Sequence, residues 1–298
     1  MASYPSAKKL QADEKSILYH AAQSMPHSTS GYSIRTHGLV TAIRKSGWEA
    51  EVHLRHGYPL DRSDFRGDEV MAREEIDGTP YRFHPTSENR STDIINYTEV
   101  FNFSQLEEYQ SAAVRTLMNQ ASETKPQVLH SASNFVVGLA GAEAAKRLGI
   151  PSVYEIRGFW HLTQATKRLG YEASDHYNLS EHLEFEAARN SDHVFTITNA
   201  LRDILLENGI EPGKVSVLPN AVDPERFDIA PRDVELEDEL GYTDKVVIGY
   251  IGSFVEYEGL ELLLEATAQL KNELGDTFRV LMVGDGSVHE KLRRMTRF

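Results

Sequence analysis

The chain has 298 residues, 40% of them apolar, and a formal net charge of −14. That is enough for one large or two smaller domains with a real core, while the acidic balance excludes a general nucleic-acid binder, which needs clustered Lys and Arg to neutralise phosphates. There is no cysteine, so disulfides and thiolate metal sites are excluded as well.

The opening, MASYPSAKKLQADEKS, lacks the apolar segment of a signal peptide, and no apolar run approaches a membrane span. Residues 1–14 read as a disordered tail, and the protein as cytoplasmic. Seven short apolar segments before position 220 read as strands: Ser16–His20, Ala50–Leu54, Thr79–Phe83, Val128–His130, Ser152–Ile156, His193–Thr198 and Val215–Leu218. Helical patterns lie between most of them. Leu39, Ala42 and Ile43 share one helix face, with Gly47 closing that helix. Ala140–Leu148 reads as another helix, stopped by Gly149-Ile150-Pro151. Between Arg62 and Gly78, and again between His84 and Thr98, the polar and aperiodic text predicts surface loops or a small excursion. Strands alternating with helices predict an α/β domain with a parallel sheet covered on both faces.

After Asp223 the stretch PERFDIAPRDVELEDELGYTD reads as a linker into a second domain. That domain shows a strand at Val246–Ile251, a stripe of Leu260, Leu263, Leu264, Thr267, Leu270 and Leu274, and a further strand at Phe278–Val283. The division is therefore 15–228 and 229–298. A doubly wound domain has about 100 residues or more, so the second reads as the first part of such a domain, and the chain as C-terminally truncated.

Three stretches carry the candidate chemistry. In HAAQSMPHSTSGYSIRTHGL a strand leads through a loop to a helix opening at Gly31, where free N–H groups favour an anion such as a phosphate. The G-x-G-x-x-G fingerprint is absent, which disfavours a nicotinamide or flavin enzyme. In PSVYEIRGFWHLT, Glu155, Arg157 and Trp160 gather at the carboxyl end of a parallel strand, the place where such sheets bind ligands. A Glu–Arg pair there is a structural ion pair or a ligand contact, and Trp160 suits a sugar or a nucleotide. The third stretch runs from VSVLPNAVDPERF through VIGYIGSFVEYEGLELLLEA to VLMVGDG.

Taken in order, these segments resemble glycosyltransferase family 4, and most of all its bacterial exopolysaccharide branch, sometimes described as exosortase-associated, whose members carry similar GYSIRTHG, VYEIRGFW and GSFVEYEGL segments. The resemblance implies a GT-B fold, with a complete N-terminal Rossmann-like domain on the acceptor side and the first part of a second that holds the nucleotide sugar. It implies retaining transfer to a glycan or lipid-linked acceptor, with no metal and no cofactor beyond the nucleotide-sugar donor. Carried over residue by residue, Gly31 lies near the donor diphosphate with Tyr32 and Arg35 beside it, and Trp160 and Asn220 are further substrate-binding candidates. Gly252 and Ser253 line the phosphate side, and Gly284 and Gly286 approach the nucleotide.

Glu155 and Arg157 are the catalytic candidates. Arg157 stands where many family members have a histidine, which leaves open whether it serves in chemistry or in binding alone. Glu258 replaces a lysine common in the broader family, so the diphosphate partner is expected from elsewhere, either Arg35 or a basic residue beyond Phe298. Glu261 and Glu265 are one helical turn apart, too close for the family's paired glutamates, and read as solvated. His20, His27, His37, His53 and His56 lack a metal-ligand spacing and read as surface or strand histidines. The tail KLRRMTRF reads as exposed helical turns, and its basic residues allow peripheral contact with the inner face of the membrane. Two alternatives to the transferase are a non-catalytic acceptor-binding half that pairs with another chain or self-associates through its second domain, and a GT-B nucleotide-sugar epimerase.

Overall fold

The computed structural model describes residues 10–62, 65–67, 69–85, 103–227 and 229–296. Residues 1–9 of the expected tail, and most of the polar stretch between His84 and Thr98, lie outside the described residues. The chain forms two units, Met1–Ala221 and Val222–Phe298. Residues 10–14 are not a free tail. Leu10 packs on the main core, its N–H donates to Leu148 O at 2.9 Å, and Asp13 N–H donates to Lys125 O at 2.8 Å.

The first unit runs β1 (Ser16–Ala21), α1 (Gly31–Lys45), β2 (Glu49–Leu54), β3 (Arg73–Ile76), β4 (Thr79–Arg82), α2 (Phe103–Thr124), β5 (Val128–Ala132), α3 (Phe135–Leu148), β6 (Ser152–Ile156), α4 (Trp160–Ala165), α5 (Asp175–Asn190), β7 (His193–Thr196), α6 (Asn199–Glu207) and β8 (Val215–Val217). Its eight strands lie in the order β3-β4-β2-β1-β5-β6-β7-β8. All neighbours are parallel except β3 and β4. Each of the seven expected strands forms, Ser152–Ile156 with the expected bounds and the others with one end shifted by one or two residues. The additional strand, β3, is a charged edge strand inside the region read as loop. It turns back onto β4 through Asp77-Gly78, whose φ values of 49° and 74° suit a two-residue hairpin.

Strand alternation sorts the core into two layers. Leu18 joins the larger layer, with Leu117, Leu129, Tyr154 and Phe185, under α2, α3 and α5. Tyr19 and Ala21 join the other, with Val40, Val52, Tyr58 and Tyr81. Helix α3 lies very close to the sheet: a Cβ on Gly141 would fall 1.9 Å from Ser131 Oγ. Helix α1 differs from its expected face. Its buried residues are Ser33, Thr36 and Val40, and Ala42 is exposed. The first turns of α1 cover a polar cluster, so small hydroxyls rather than leucines suit that face.

The second unit contains α7 (Val234–Glu239), β9 (Val246–Ile251), α8 (Leu260–Leu274), β10 (Phe278–Val283) and α9 (His289–Met295). Strands β9 and β10 pair in parallel, with Val246 opposite Phe278. Phe254, Leu260, Val288 and Leu292 form a small core. Of the expected stripe, Leu260 and Thr267 are buried and Leu274 is exposed. Glu261 is not simply solvated: it pairs with Lys291 of α9 at 2.9 Å, and its side chain is 18% exposed.

Candidate functional site

Strand β1 is the topological switch point of the large sheet, because the chain proceeds to β2 on one side and to β5 on the other. In open α/β sheets the crevice at the carboxyl ends of such strands is where ligands bind. Tyr19 of β1 pairs in register with His130 of β5, and Ala132 with Glu155 of β6. Tyr19 and Glu155 point to the α1 face, whereas Tyr154 points to the opposite one.

Glu155, fully enclosed at 0% exposure, is the hub. Its Oε1 accepts Arg35 Nε at 2.7 Å and Arg157 Nε at 2.9 Å. Oε2 accepts Arg157 Nη2 at 3.3 Å, the Tyr19 hydroxyl, and His130 Nε2 at 3.2 Å in the tautomer that carries its proton there. Burial alone would raise the Glu155 pKa, but Arg157 and then His130 hold it well below the carboxylate range. The Tyr19 hydroxyl is pushed up by burial and stays neutral, and it accepts Arg157 Nη2 at 2.7 Å. One carboxylate thus stands between two guanidiniums, leaving a surplus positive charge at the edge.

That charge is tied to the loops around it. Arg157 Nη1 donates to Tyr32 O at 2.8 Å and Thr36 Oγ1 at 2.9 Å, pinning the first turn of α1 to the end of β6. Arg35 reaches across to the strand-end loop of β8, donating to Leu218 O at 2.7 Å, Pro219 O at 2.9 Å and Asn220 Oδ1 at 3.1 Å. The rings of Tyr32 and Trp160 lie 6.4 Å apart. The structure therefore brings Gly31, Tyr32, Arg35, Glu155, Arg157, Trp160 and Asn220 into one loop cluster.

Helix α1 opens differently from its neighbours. Asn134 caps α3 through Val136 N–H and Thr198 caps α6 through Leu201 N–H, whereas Ser30 makes no side-chain cap to α1; like those two helices, α1 has no acidic residue in its first turn. A Cβ on Gly31 would meet nothing within 4 Å. The positive end of α1 and the surplus guanidinium charge together suit an anionic group at this edge.

The remaining candidates form a second cluster, within the other unit. Gly252 N–H donates to Val283 O at 3.0 Å and Phe254 N–H to Asp285 O at 2.9 Å, joining the turns after β9 and β10. A Cβ on Gly284 would fall 1.9 Å from Gly252 O, and one on Gly286 would fall 2.3 Å from Phe254 O. The close approach that demands glycine here is to the neighbouring turn, whereas the expectation invoked approach to a nucleotide.

Tyr19, His130, Thr36 and Ser133 were not singled out by the sequence. They sit on apolar strands or at ordinary turn and helix positions, and no local signal points to them. His20 and His53, read as surface or strand histidines, are buried strand residues on the face opposite Tyr19, at 1% and 0% exposure. Among the described residues no group of three or more His, Asp or Glu side chains is arranged to hold a metal ion, and no helix is long and apolar enough to cross a membrane.

Comparison with known proteins places this arrangement. The chain is similar to the Anabaena protein HepE, solved in complex with UDP and glucose, with a TM-score of 0.62 at 16% identity over 95% of this chain and 65% of that one. It is also similar to the UDP-GlcNAc 2-epimerase of Neisseria meningitidis bound to UDP-GlcNAc, with a TM-score of 0.52 at 15% identity over 94% of this chain and 68% of that one. These likenesses show a GT-B, Rossmann-like fold.

Among curated proteins, the 2-deoxystreptamine glucosyltransferase of Streptomyces kanamyceticus is 30% identical over 50% of this chain and 38% of its own length. The D-inositol 3-phosphate glycosyltransferase of Stackebrandtia nassauensis is 29% identical over 54% of this chain and 36% of its own length. The chain thus spans well under half the length of these relatives. The model described as Glycosyltransferase Family 4 matches residues 29–226, a span that contains the whole loop cluster from Gly31 to Asn220, and the chain belongs to that family.

Proposed function

We propose that this chain serves the transfer of a sugar from a nucleotide-sugar donor to a glycan or lipid-linked acceptor, in the making of a surface polysaccharide. The observation that carries the reading is the Glu155 hub, which directs a surplus guanidinium charge and the uncapped start of α1 to the same strand edge. Family membership supports a transferase, and the structural neighbours solved with UDP or a UDP-sugar support a nucleotide-sugar donor.

In this reading Gly31, Tyr32 and Arg35 receive the phosphates, Trp160 and Asn220 border the sugar or acceptor, and Gly252, Ser253, Gly284 and Gly286 serve the nucleotide side. The departing diphosphate gains negative charge, and a preorganised cation and helix start stabilise that charge without reorganising. Arg157 and Glu155 are enclosed and fully engaged with each other and their neighbours, so we assign them to holding α1 and Arg35 in place. Retention and independence of metal belong to the same proposal. They are tested by the anomeric configuration of the product and by activity in a chelator.

The epimerase neighbours favour a second reading, in which the same edge binds a nucleotide sugar and inverts one of its carbons. Calorimetric titration with UDP- and GDP-sugars, followed by NMR of the sugar after incubation, separates the two. The transferase reading expects saturable binding to one nucleotide class, abolished by Arg35→Ala, with the sugar configuration unchanged in the absence of acceptor. An epimerised sugar would establish the second reading. A chain that binds no nucleotide sugar, with Arg35→Ala indistinguishable from it, would sink both.

A further inference from the structure

Behind the loop cluster, on the opposite face of the sheet, lies a second buried carboxyl. Glu184 of α5 is 1% exposed. Its Oε1 accepts the Tyr154 hydroxyl, and its Oε2 accepts the Phe135 backbone N–H at 3.0 Å. Tyr154 immediately precedes Glu155 on β6, and Phe135 opens α3. Between them runs the turn of Ser133 and Asn134. Ser133 Oγ donates to Glu155 O at 3.1 Å and accepts Arg157 N–H at 2.9 Å, while Ser133 N–H donates to Glu155 O at 2.9 Å. The front carboxyl, Glu155, and the tyrosine held by the rear carboxyl, Tyr154, are therefore consecutive residues of one strand, and Glu184 also holds the turn on which the backbone of Arg157 is hung.

We propose that Glu184 is a positioning residue for the candidate glycosyltransferase site, fixing from behind the sheet the Ser133–Phe135 turn that orients Arg157 and, through it, the start of α1. The proposal rests on the reading of the loop cluster given above. An ionised Glu184 accepts from both partners and lies at the positive end of the 14-residue helix α3. A protonated Glu184 that donates to Tyr154 Oη no longer takes that tyrosine proton, so gain of one proton rearranges the pair and moves the turn. Burial pushes Glu184 up to about 7, against the opposing hydrogen bonds from Tyr154 and Phe135. The groups that act on the carboxyl are Tyr154 from β6 and the Phe135 amide from α3, within the apolar layer that contains Phe159 and Phe185.

The test follows the backbone amides of Phe135 and Arg157 by NMR in the free chain, labelled with ¹⁵N-Phe and ¹⁵N-Arg, from about pH 5 to about pH 8. The expected result is a shared midpoint for the two amides in the wild type, with both curves flat in Glu184→Gln, which keeps an acceptor for Phe135 and a polar partner for Tyr154. An Arg157 amide that stays flat while Phe135 titrates, or one that still titrates in Glu184→Gln, overturns the proposal. Should Glu184→Gln not fold, Tyr154→Phe removes one bond that favours the ionised form. Both midpoints are then expected to rise together, and an Arg157 curve left in place overturns the coupling. Because no donor is present, a failed titration rejects this coupling alone, whereas absent nucleotide-sugar binding rejects the functional reading alone.

Discussion

Arg35 on α1 and Glu155 on β6, 120 positions apart in the chain, meet at 2.7 Å between Nε and Oε1. This contact closes the strand edge, because the same guanidinium spans on to Leu218, Pro219 and Asn220 beyond β8. Removing the carboxylate leaves two guanidiniums facing each other in a dry setting. Glu155→Ala is expected to cost about 3–5 kcal/mol, the range for breaking a buried ion pair from one side. Urea denaturation checks it, and a loss under about 1 kcal/mol would show that water reaches the cluster.

Arg35→Lys tests geometry against charge. Lysine keeps the positive charge but lacks the planar fork that serves Glu155 and three loop acceptors at once. The expected outcome is a folded protein with nucleotide-sugar affinity reduced about tenfold or more, close to one lost charge-assisted hydrogen bond. Full affinity in Arg35→Lys would reduce the role of Arg35 to simple charge.

Glycine substitutions should behave oppositely in two places. Gly31→Ala has open space for its Cβ, so the melting temperature should hold while ligand affinity falls if an anion approaches that backbone. Gly284→Ala drives a Cβ to 1.9 Å from Gly252 O, so the turns after β9 and β10 must separate and the second unit should melt earlier. Differential scanning calorimetry of both variants decides it, and an unchanged melting profile for Gly284→Ala would contradict the packing.

Stability should depend on pH in two opposing ways. His20 is lowered to about 3 by burial and then by His53, and His84 to about 4 by burial and then by His53. The unfolded histidines bind protons first, so stability is full above about pH 6.5 and is lost as pH falls toward those values. Glu184 is raised to about 7 by burial. Its contribution is full below about pH 4.5 and is lost as pH rises through 7. Chemical denaturation across pH should show His20→Gln flattening the acid limb and Glu184→Gln becoming relatively more stable toward neutral pH. Parallel curves for wild type and both variants would refute this assignment.

The strands were legible because each is a short apolar run bounded by turn residues, and buried parallel strands are apolar on both faces. The hairpin strand β3 was hidden by its charges, although Asp77-Gly78 was a usable turn signal. Glu155, Arg157 and Arg35 could be found from strand-end and helix-start placement. Tyr19, His130 and Glu184 could not, since their partners lie on other strands and helices and no local spacing encodes them. The face of α1 was misjudged at Ala42 for the same reason: what it covers is a polar cluster supplied by β1 and β6.

The alternation of Tyr154 and Glu155 along β6 also bears on how the sheet finds its register. A slip of one residue exchanges the two faces. Tyr154 would then confront the arginines, and Glu155 would be thrust toward Glu184, setting two carboxyls together in an apolar layer with no cation between them. The correct pairing is thus guarded by a penalty for the nearest wrong one, and β6 can select its own alignment as the sheet assembles.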